Sequence, residues 1–401
     1  MAASIKLARR IREVQPSATL AVDAKSKALQ AQGVDVVGFG VGEPDFNTPV
    51  HIVNAAMTSM KSGDTKYSAK RGSELKLHIV EKLKRENGLD YKPENIVVSN
   101  GAKQSLYNLL QVLVDEGDEV IIPAPYWVSY LEQVRLAGGK PVIINTDESS
   151  AFKITPRQLE QAITPKTRLF MHNSPSNPTG TVYTPEEIRA IGAVIEKAGI
   201  LALSDEIYEQ LIYSDIQPLS LAAVSPALRQ QVVTVNGCSK TFAMTGWRIG
   251  WAAGPDDIMK AAAKFQSHAT SDPAAFSQAG AAEAYGNLRM SDESIMSMRK
   301  QFDQRRKLMH ARLNKLKGVT CLEPLGAFYC FPNVSSVFGR SFKNNTVQTP
   351  MDFCNVALEQ AGVALVPGEA FGSHHHVRLS YATSIELIDK GLDRLEKLLN
   401  D

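Results

Sequence analysis

Six short apolar runs constrain this chain more than anything else in it: NIVVS at 95–99, EVIIP at 119–123, PVIIN at 141–145, RLFMH at 168–172, ILALS at 200–204 and VVTV at 232–235. Each is continuously apolar rather than alternating, the pattern of strands covered on both faces. Helical stretches separate several of them. After Gly101, for example, Leu106, Leu109, Leu110 and Leu113 repeat at i, i+3, i+4 and i+7 and share one buried face. Strand and helix alternate, so the expected fold class is α/β with a mainly parallel sheet between helices.

A chain of 401 residues exceeds what one core usually supports, so two domains are expected. From about residue 286 the texture changes. SDESIMSMRKQFDQRRKLMHARLNKL reads as one long amphipathic helix, GAFYCFP and HVRLSYA alternate more, and SIELIDKGLDRLEKLLN reads as a terminal helix. The expected division is an N-terminal arm with part of a small domain (1–46), a large domain (47–290) and a smaller α+β domain (291–401).

A formal net charge of +2 gives no reason to invoke nucleic acid or an anionic membrane. No apolar stretch approaches the roughly 18 to 20 residues a membrane span needs. Cys238, Cys321, Cys330 and Cys354 show neither CxxC spacing nor a secreted framework, so reduced, mostly buried thiols and a cytoplasmic location are expected. The N-terminus starts basic but acquires Glu13 and Asp23 and runs into helical patterning, which reads as an ordered arm rather than a cleaved signal.

In an open parallel sheet, ligands bind beyond the C-terminal ends of the strands. The segments that follow the runs are NGAKQSLYN, NSPSNPTG, DEIYE and NGCSKTFAMTGWR, each opening with polar or glycine residues. Gly101 and Ala102 stand at a helix start, where free N–H groups favour an anion such as phosphate. Arg248 adds a cation, or else makes an ordinary ion pair. Asp205 follows an apolar run and needs a donor or cationic partner, unless it is only a helix N-cap for DEIYEQLIY. Asn177 is equally a turn residue before Pro178. Lys240 lies between two apolar segments, an unusual place for a lysine.

Taken together, NSPSNPTG, SDEIYE, SKTFAMTGWRIGW and HVRLSYA resemble the fold-type I pyridoxal-phosphate aminotransferases of class I, most of all their bacterial aspartate aminotransferase branch. PSATLAVDAKSKAL, GEPDFNTP, GAKQ and PYWVSY extend the likeness over essentially the whole chain. The resemblance implies a seven-stranded sheet, pyridoxal 5′-phosphate as cofactor, amino acids and 2-oxo acids as substrates, and a homodimer with shared active sites. Lys240 would form the Schiff base with the cofactor and carry the proton. Asp205 would pair with the pyridine nitrogen, Asn177 and Tyr208 with the phenolic oxygen, and Trp127 would stack on the ring, where a core aromatic is the bland alternative.

Gly101, Ala102 and Arg248 would hold the phosphate, with Tyr67 reaching in from a second subunit. Arg378 would clamp the substrate α-carboxylate through its fork, helped by Asn177 and the backbone of Gly42. Lys103 and Thr19 would bind the distal carboxylate of aspartate or glutamate, although GAKQ stands where the branch has GGKQ. Gly237 departs from the many relatives with a phosphate-binding serine three residues before the lysine; the neighbouring Ser239 is a weak substitute. Gln15 stands where prephenate-using relatives tend to have lysine, which argues against that second activity. Lys70 and Arg71 add charge near Tyr67 with no assigned role.

The implied activity is aspartate:2-oxoglutarate transamination. Aromatic, prephenate or alanine specificity on the same fold is the alternative, and a catalytically inactive cofactor-binding regulator is a third reading. His374–His376 invite a metal, but consecutive histidines in a strand cannot all face one ion, and a solvated loop is the expectation.

Overall fold

The computed structural model describes residues 5–67 and 69–400, with the side chains at 9, 23 and 69–71 outside the description. Lys70 and Arg71 therefore fall outside it. All six apolar runs are strands, and a seventh joins them. We label the seven β1 (Ile96–Ser99), β2 (Glu119–Ala124), β3 (Lys140–Asn145), β4 (Thr167–Asn173), β5 (Leu201–Asp205), β6 (Val232–Gly237) and β7 (Gly250–Ala253). Their order in the sheet is β1-β7-β6-β5-β4-β2-β3. β7 runs antiparallel to both of its neighbours, while the remaining pairs are parallel. The chain is thus a mixed, mainly parallel α/β protein.

Helices cover both faces, which is why these strands carry no polar alternation. One layer of core joins β1, β2, β6 and β7 to the leucines of the helix Ala102–Leu113. The other contains Ile121, Phe170, Ala202 and Trp251 together with Ile188, Ile191 and Ile195 of the helix Pro185–Ala198. A Thr184 capping box starts that helix and Gly199, at φ 68°, ends it.

The C-terminal segment builds a separate apolar cluster around Phe302, Phe328, Phe353 and Leu392, and Val37 and Phe39 from the N-terminal region join it. Its long helix is Leu288–Leu313 and its terminal helix Ile385–Asn400. Val366–Pro367, Val377–Ser380 and Tyr329–Cys330 form a three-stranded antiparallel sheet. Val37–Gly38 pairs in parallel with Val363–Ala364, so the start of the chain is stitched to its end.

Two expectations are corrected here. Asp205 is the last residue of β5, and DEIYE turns instead of forming a helix, so the N-cap reading fails. His374 and His375 are exposed, but His376 is buried: it stacks on Phe331 at 4.8 Å and its ring nitrogens lie 2.7 Å from Glu148 and from the Ser373 hydroxyl. His374 and His375 lie in a bend, whereas His376 already pairs with Asn333 as an antiparallel bridge that extends the strand inward. Cys238, Cys321, Cys330 and Cys354 are free and buried. No helix among the described residues is long and apolar enough to cross a membrane.

Candidate active site

A cavity of about 450 Å³ opens beyond the C-terminal ends of the strands. Asp205, Lys240, Asn177 and Tyr208 line it, and Arg378 and Gly42 enter from the C-terminal and N-terminal segments. Ala102, Trp127, Lys103, Thr19 and Arg248 complete the side nearest the Ala102 helix. Gly101 touches this wall through Arg248. Twelve of the thirteen residues singled out in the sequence therefore converge. The thirteenth, Tyr67, stands apart at 96% exposure.

Asp205 is buried at the floor. Its carboxylate accepts from the Tyr130 hydroxyl at 2.7 Å and from the Ile207 N–H at 3.2 Å. Burial pushes its pKa up to about 6, against the pull of those bonds and of Lys240. A cation in the cavity would favour the ionised form and draw that pKa back down. Asn173, at the end of β4, donates to the Asp205 carbonyl at 2.9 Å and accepts from the Asn177 N–H at 3.0 Å, so adjacent strand ends hold both residues.

Lys240 lies in the single turn Cys238–Thr241 that follows β6. Its amine donates to the Gly42 carbonyl at 2.6 Å. Burial lowers its pKa to about 8, while the Glu43 carboxylate opposes the shift and Arg248 adds to it. A neutral amine is the nucleophilic form, and this lysine reaches it about two units earlier than a solvated one.

Arg378 is fully buried in the strand Val377–Ser380, and burial pulls its pKa down. Its terminal nitrogens donate to Asn177 Oδ1 at 3.0 Å and to the Gly40 carbonyl at 2.7 Å. Tyr329 and Phe371 hold the guanidinium at 4.5 and 5.0 Å from their ring centroids. Its Nε has no partner. A buried guanidinium with no carboxylate beside it is a site for an incoming one.

Gly101 has φ 84°, which favours glycine, and an added Cβ would lie 2.9 Å from Arg248 Cζ. Arg248 thus packs on Gly101 and donates to the Thr245 carbonyl at 2.9 Å, while Ala102 leaves the helix start open to the cavity. Across the opening, the Lys103 amine sits 4.9 Å from the Trp127 ring centroid. Desolvation first and Arg248 second lower its pKa. The Thr19 hydroxyl is 2.9 Å from that of Ser17.

At Gly237, an added Cβ would come within 2.7 Å of Gly250 Cα and the Ile249 carbonyl. A serine there has no room, because β6 and β7 close against one another. Ser239 lines the cavity beside the lysine. Tyr130, Tyr329 and Glu43 were missed in the sequence. Tyr130 lies one helical turn after Trp127 in PYWVSY, the one signal that pointed to it; Tyr329, bonded to the Tyr208 hydroxyl at 2.9 Å, and Glu43 gave none.

Residues 34–395 match the family described as aminotransferase class I and II. The chain belongs to that family. An aspartate aminotransferase of Geobacillus stearothermophilus is 49% identical over 98% of this chain and 99% of its own. An aspartate/prephenate aminotransferase of Nitrosomonas europaea is 46% identical over 99% of this chain and 100% of its own. The structure of an aspartate aminotransferase from Thermus thermophilus with maleate superposes with a TM-score of 0.93, at 41% identity, covering 99% of this chain and 100% of that one. The aminotransferase cofactor is pyridoxal 5′-phosphate, and the buried acid, the low-pKa lysine and the open helix start fit its ring nitrogen, aldehyde and phosphate.

Proposed function

We propose that this aminotransferase converts L-aspartate and 2-oxoglutarate to oxaloacetate and L-glutamate in two half-reactions. The observation that carries the reading is the set of cations lining one cavity: Arg378, whose Nε has no partner, together with Lys103 and Lys240. A dicarboxylic amino acid places one carboxylate on Arg378 and the other on Lys103, and its Cα near the amine of Lys240. The aspartate-named relatives and the maleate complex, itself a dicarboxylate, support this choice.

Pyridoxal phosphate, when bound, supplies an aldehyde and an electron-withdrawing ring. Asp205 would hold the ring nitrogen in its protonated form by a charge-assisted bond worth roughly 1.5 to 3 kcal/mol. Tyr208 and Asn177 would bond the phenolic oxygen, and Trp127 would cover the ring face. Gly101, Ala102 and Arg248 would hold the phosphate. Arg378, with Asn177 and the Gly42 backbone, would orient the substrate carboxylate so that its Cα–H faces Lys240. Lys240, released as a neutral amine, would then take that proton.

We further propose a homodimer in which the partner's Tyr67 reaches the phosphate, because Tyr67 is useless to its own cavity and Met57 and Met60 are exposed on the same surface helix Val50–Lys61. Domains at 1–46 (arm and part of the small domain), 47–290 and 291–401 fit a C-terminal cluster that also takes in Val37 and Phe39 and meets Ile207, Tyr208 and Leu211 of the large domain, and the free thiols suit the cytoplasm. The test is a substrate panel of aspartate, alanine, phenylalanine and prephenate, read by the absorbance of the bound cofactor. Aspartate should change the spectrum fastest; a protein that answers alanine or phenylalanine but not aspartate refutes the proposal. Lys240→Ala should show no response, which also separates a transaminase from a non-catalytic regulator.

A further inference from the structure

On the face of the sheet away from the cavity, one buried carboxylate gathers groups from three segments. Glu209 accepts from the Lys82 amine, from the Asn87 amide at 3.0 Å and from the Asn236 amide at 2.6 Å. Lys82 also donates to Asn87 at 2.7 Å, and Glu86 lies 3.6 Å from it. Asn236 turns its carbonyl to the Gly237 N–H at 2.7 Å. Lys82, Glu209 and Asn236 are all buried.

The positions of these residues in the chain matter more than their number. Glu209 is the residue after Tyr208, in the turn that leaves β5. Asn236 is in β6, immediately before Gly237 and four residues before Lys240. Lys82 and Asn87 belong to the helix Ala69–Asn87. One carboxylate thus ties the turn bearing Asp205 and Tyr208 to the turn bearing Lys240, and fixes both to a helix behind the sheet. Parallel neighbours β5 and β6 pair as far as Asp205 and Val235, with one more backbone bond from the Glu206 N–H to the Val235 carbonyl at 2.9 Å. Beyond that register, the Glu209–Asn236 bond is a side-chain link that continues the pairing toward the catalytic lysine.

Burying an ion pair is seldom a gain in stability over an apolar pair, and its better-attested use is to fix one geometry. We propose that Glu209, neutralised by Lys82 and coupled through Asn236, is a positioning residue for Tyr208 and Lys240. This rests on the transaminase reading. The carboxylate touches neither substrate nor cofactor; it sets the separation of the Tyr208 hydroxyl from the Lys240 amine.

The experiment uses the pyridoxal-phosphate-loaded enzyme and three variants: Glu209→Gln, Asn236→Ala and the double change Lys82→Met with Glu209→Gln. The double variant removes both buried charges together, so it remains folded where a single change strands one. The bound cofactor's visible absorbance is titrated against pH, beside kcat and KM for aspartate and a thermal melt. Tyr208 loses its fixed hold on the phenolic oxygen, so the absorbance midpoint should rise by half a unit or more. The kcat should fall at least tenfold, with KM within twofold. Unmoved midpoints and near-normal kcat in the folded variants, whatever the melt, would overturn the proposal and leave a purely structural network. Wild-type enzyme run alongside reports on the transaminase reading separately, since only its failure to answer aspartate bears on that reading.

Discussion

Arg378→Lys separates charge from geometry at the substrate end of the cavity. The native guanidinium spends its terminal nitrogens on Asn177 at 3.0 Å and Gly40 at 2.7 Å, and keeps Nε without a partner. A lysine keeps the positive charge but cannot present a planar fork, nor reach both acceptors at once. Each hydrogen bond to a charged group is worth roughly 1.5 to 3 kcal/mol. Losing the paired geometry while keeping the point charge should cost on the order of 3 kcal/mol, or about a hundredfold in kcat/KM at 1.36 kcal/mol per decade. The assay is steady-state kcat/KM for aspartate and for alanine. Both should fall by a similar factor, mostly through KM, because both carry the α-carboxylate. A variant within threefold of wild type, or one that loses aspartate alone, would refute the placement of that carboxylate on Arg378.

Three more outcomes follow from the same geometry. In cofactor-free protein, Asp205 has its pKa raised to about 6 by burial, so its contribution to stability is full below the unfolded value near 3.9 and is lost as pH rises through 6. Asp205→Asn should remove that slope and leave the cofactor-free protein more stable at pH 7.5, by up to about 3 kcal/mol, in urea melts; an unchanged slope would contradict the assignment. Capture of pyridoxal phosphate by cofactor-free protein should accelerate with an inflection near pH 8, set by burial of Lys240, and Glu43→Gln should move that inflection downward. Gly237→Ser should destabilise by roughly 1 to 3 kcal/mol, since its Cβ meets backbone at 2.7 Å and only a shift of β7 makes room; a higher melting temperature would show that the strands yield.

Six strands were legible because burial on both faces leaves a run of apolar residues with nothing else to explain it. β7 was not. Its GWAA lies directly after the polar segment that carries Lys240 and Arg248, and no turn signal marks it as a separate strand. Asp205 illustrates the opposite error: the apolar run seemed to stop at Ser204, yet the pairing of β4 with β5 continues to Asn173 and Asp205, and that extra residue sets the carboxylate on the cavity floor. His376 seemed solvated from its two neighbours, but sits on Phe331 because its bridge to Asn333, a residue 43 positions away, draws it into the core.

By itself the sequence determined the layering, the order of elements and the chemistry-bearing residues, since these follow from local periodicity and from residue types that a given reaction requires. Only the tertiary structure decided how far each group is from water. The lowered pKa of Lys240, the raised pKa of Asp205 and the unpaired Nε of Arg378 all arise from burial, which depends on chain segments up to 338 residues apart, as Gly40 and Arg378 are. The structure alone also showed why Gly237 bears no hydroxyl, because that restriction comes from the backbone of β7 closing against β6. Spacing along a chain sets which residues share a strand or a helix face; desolvation and close backbone approach are properties of the folded volume.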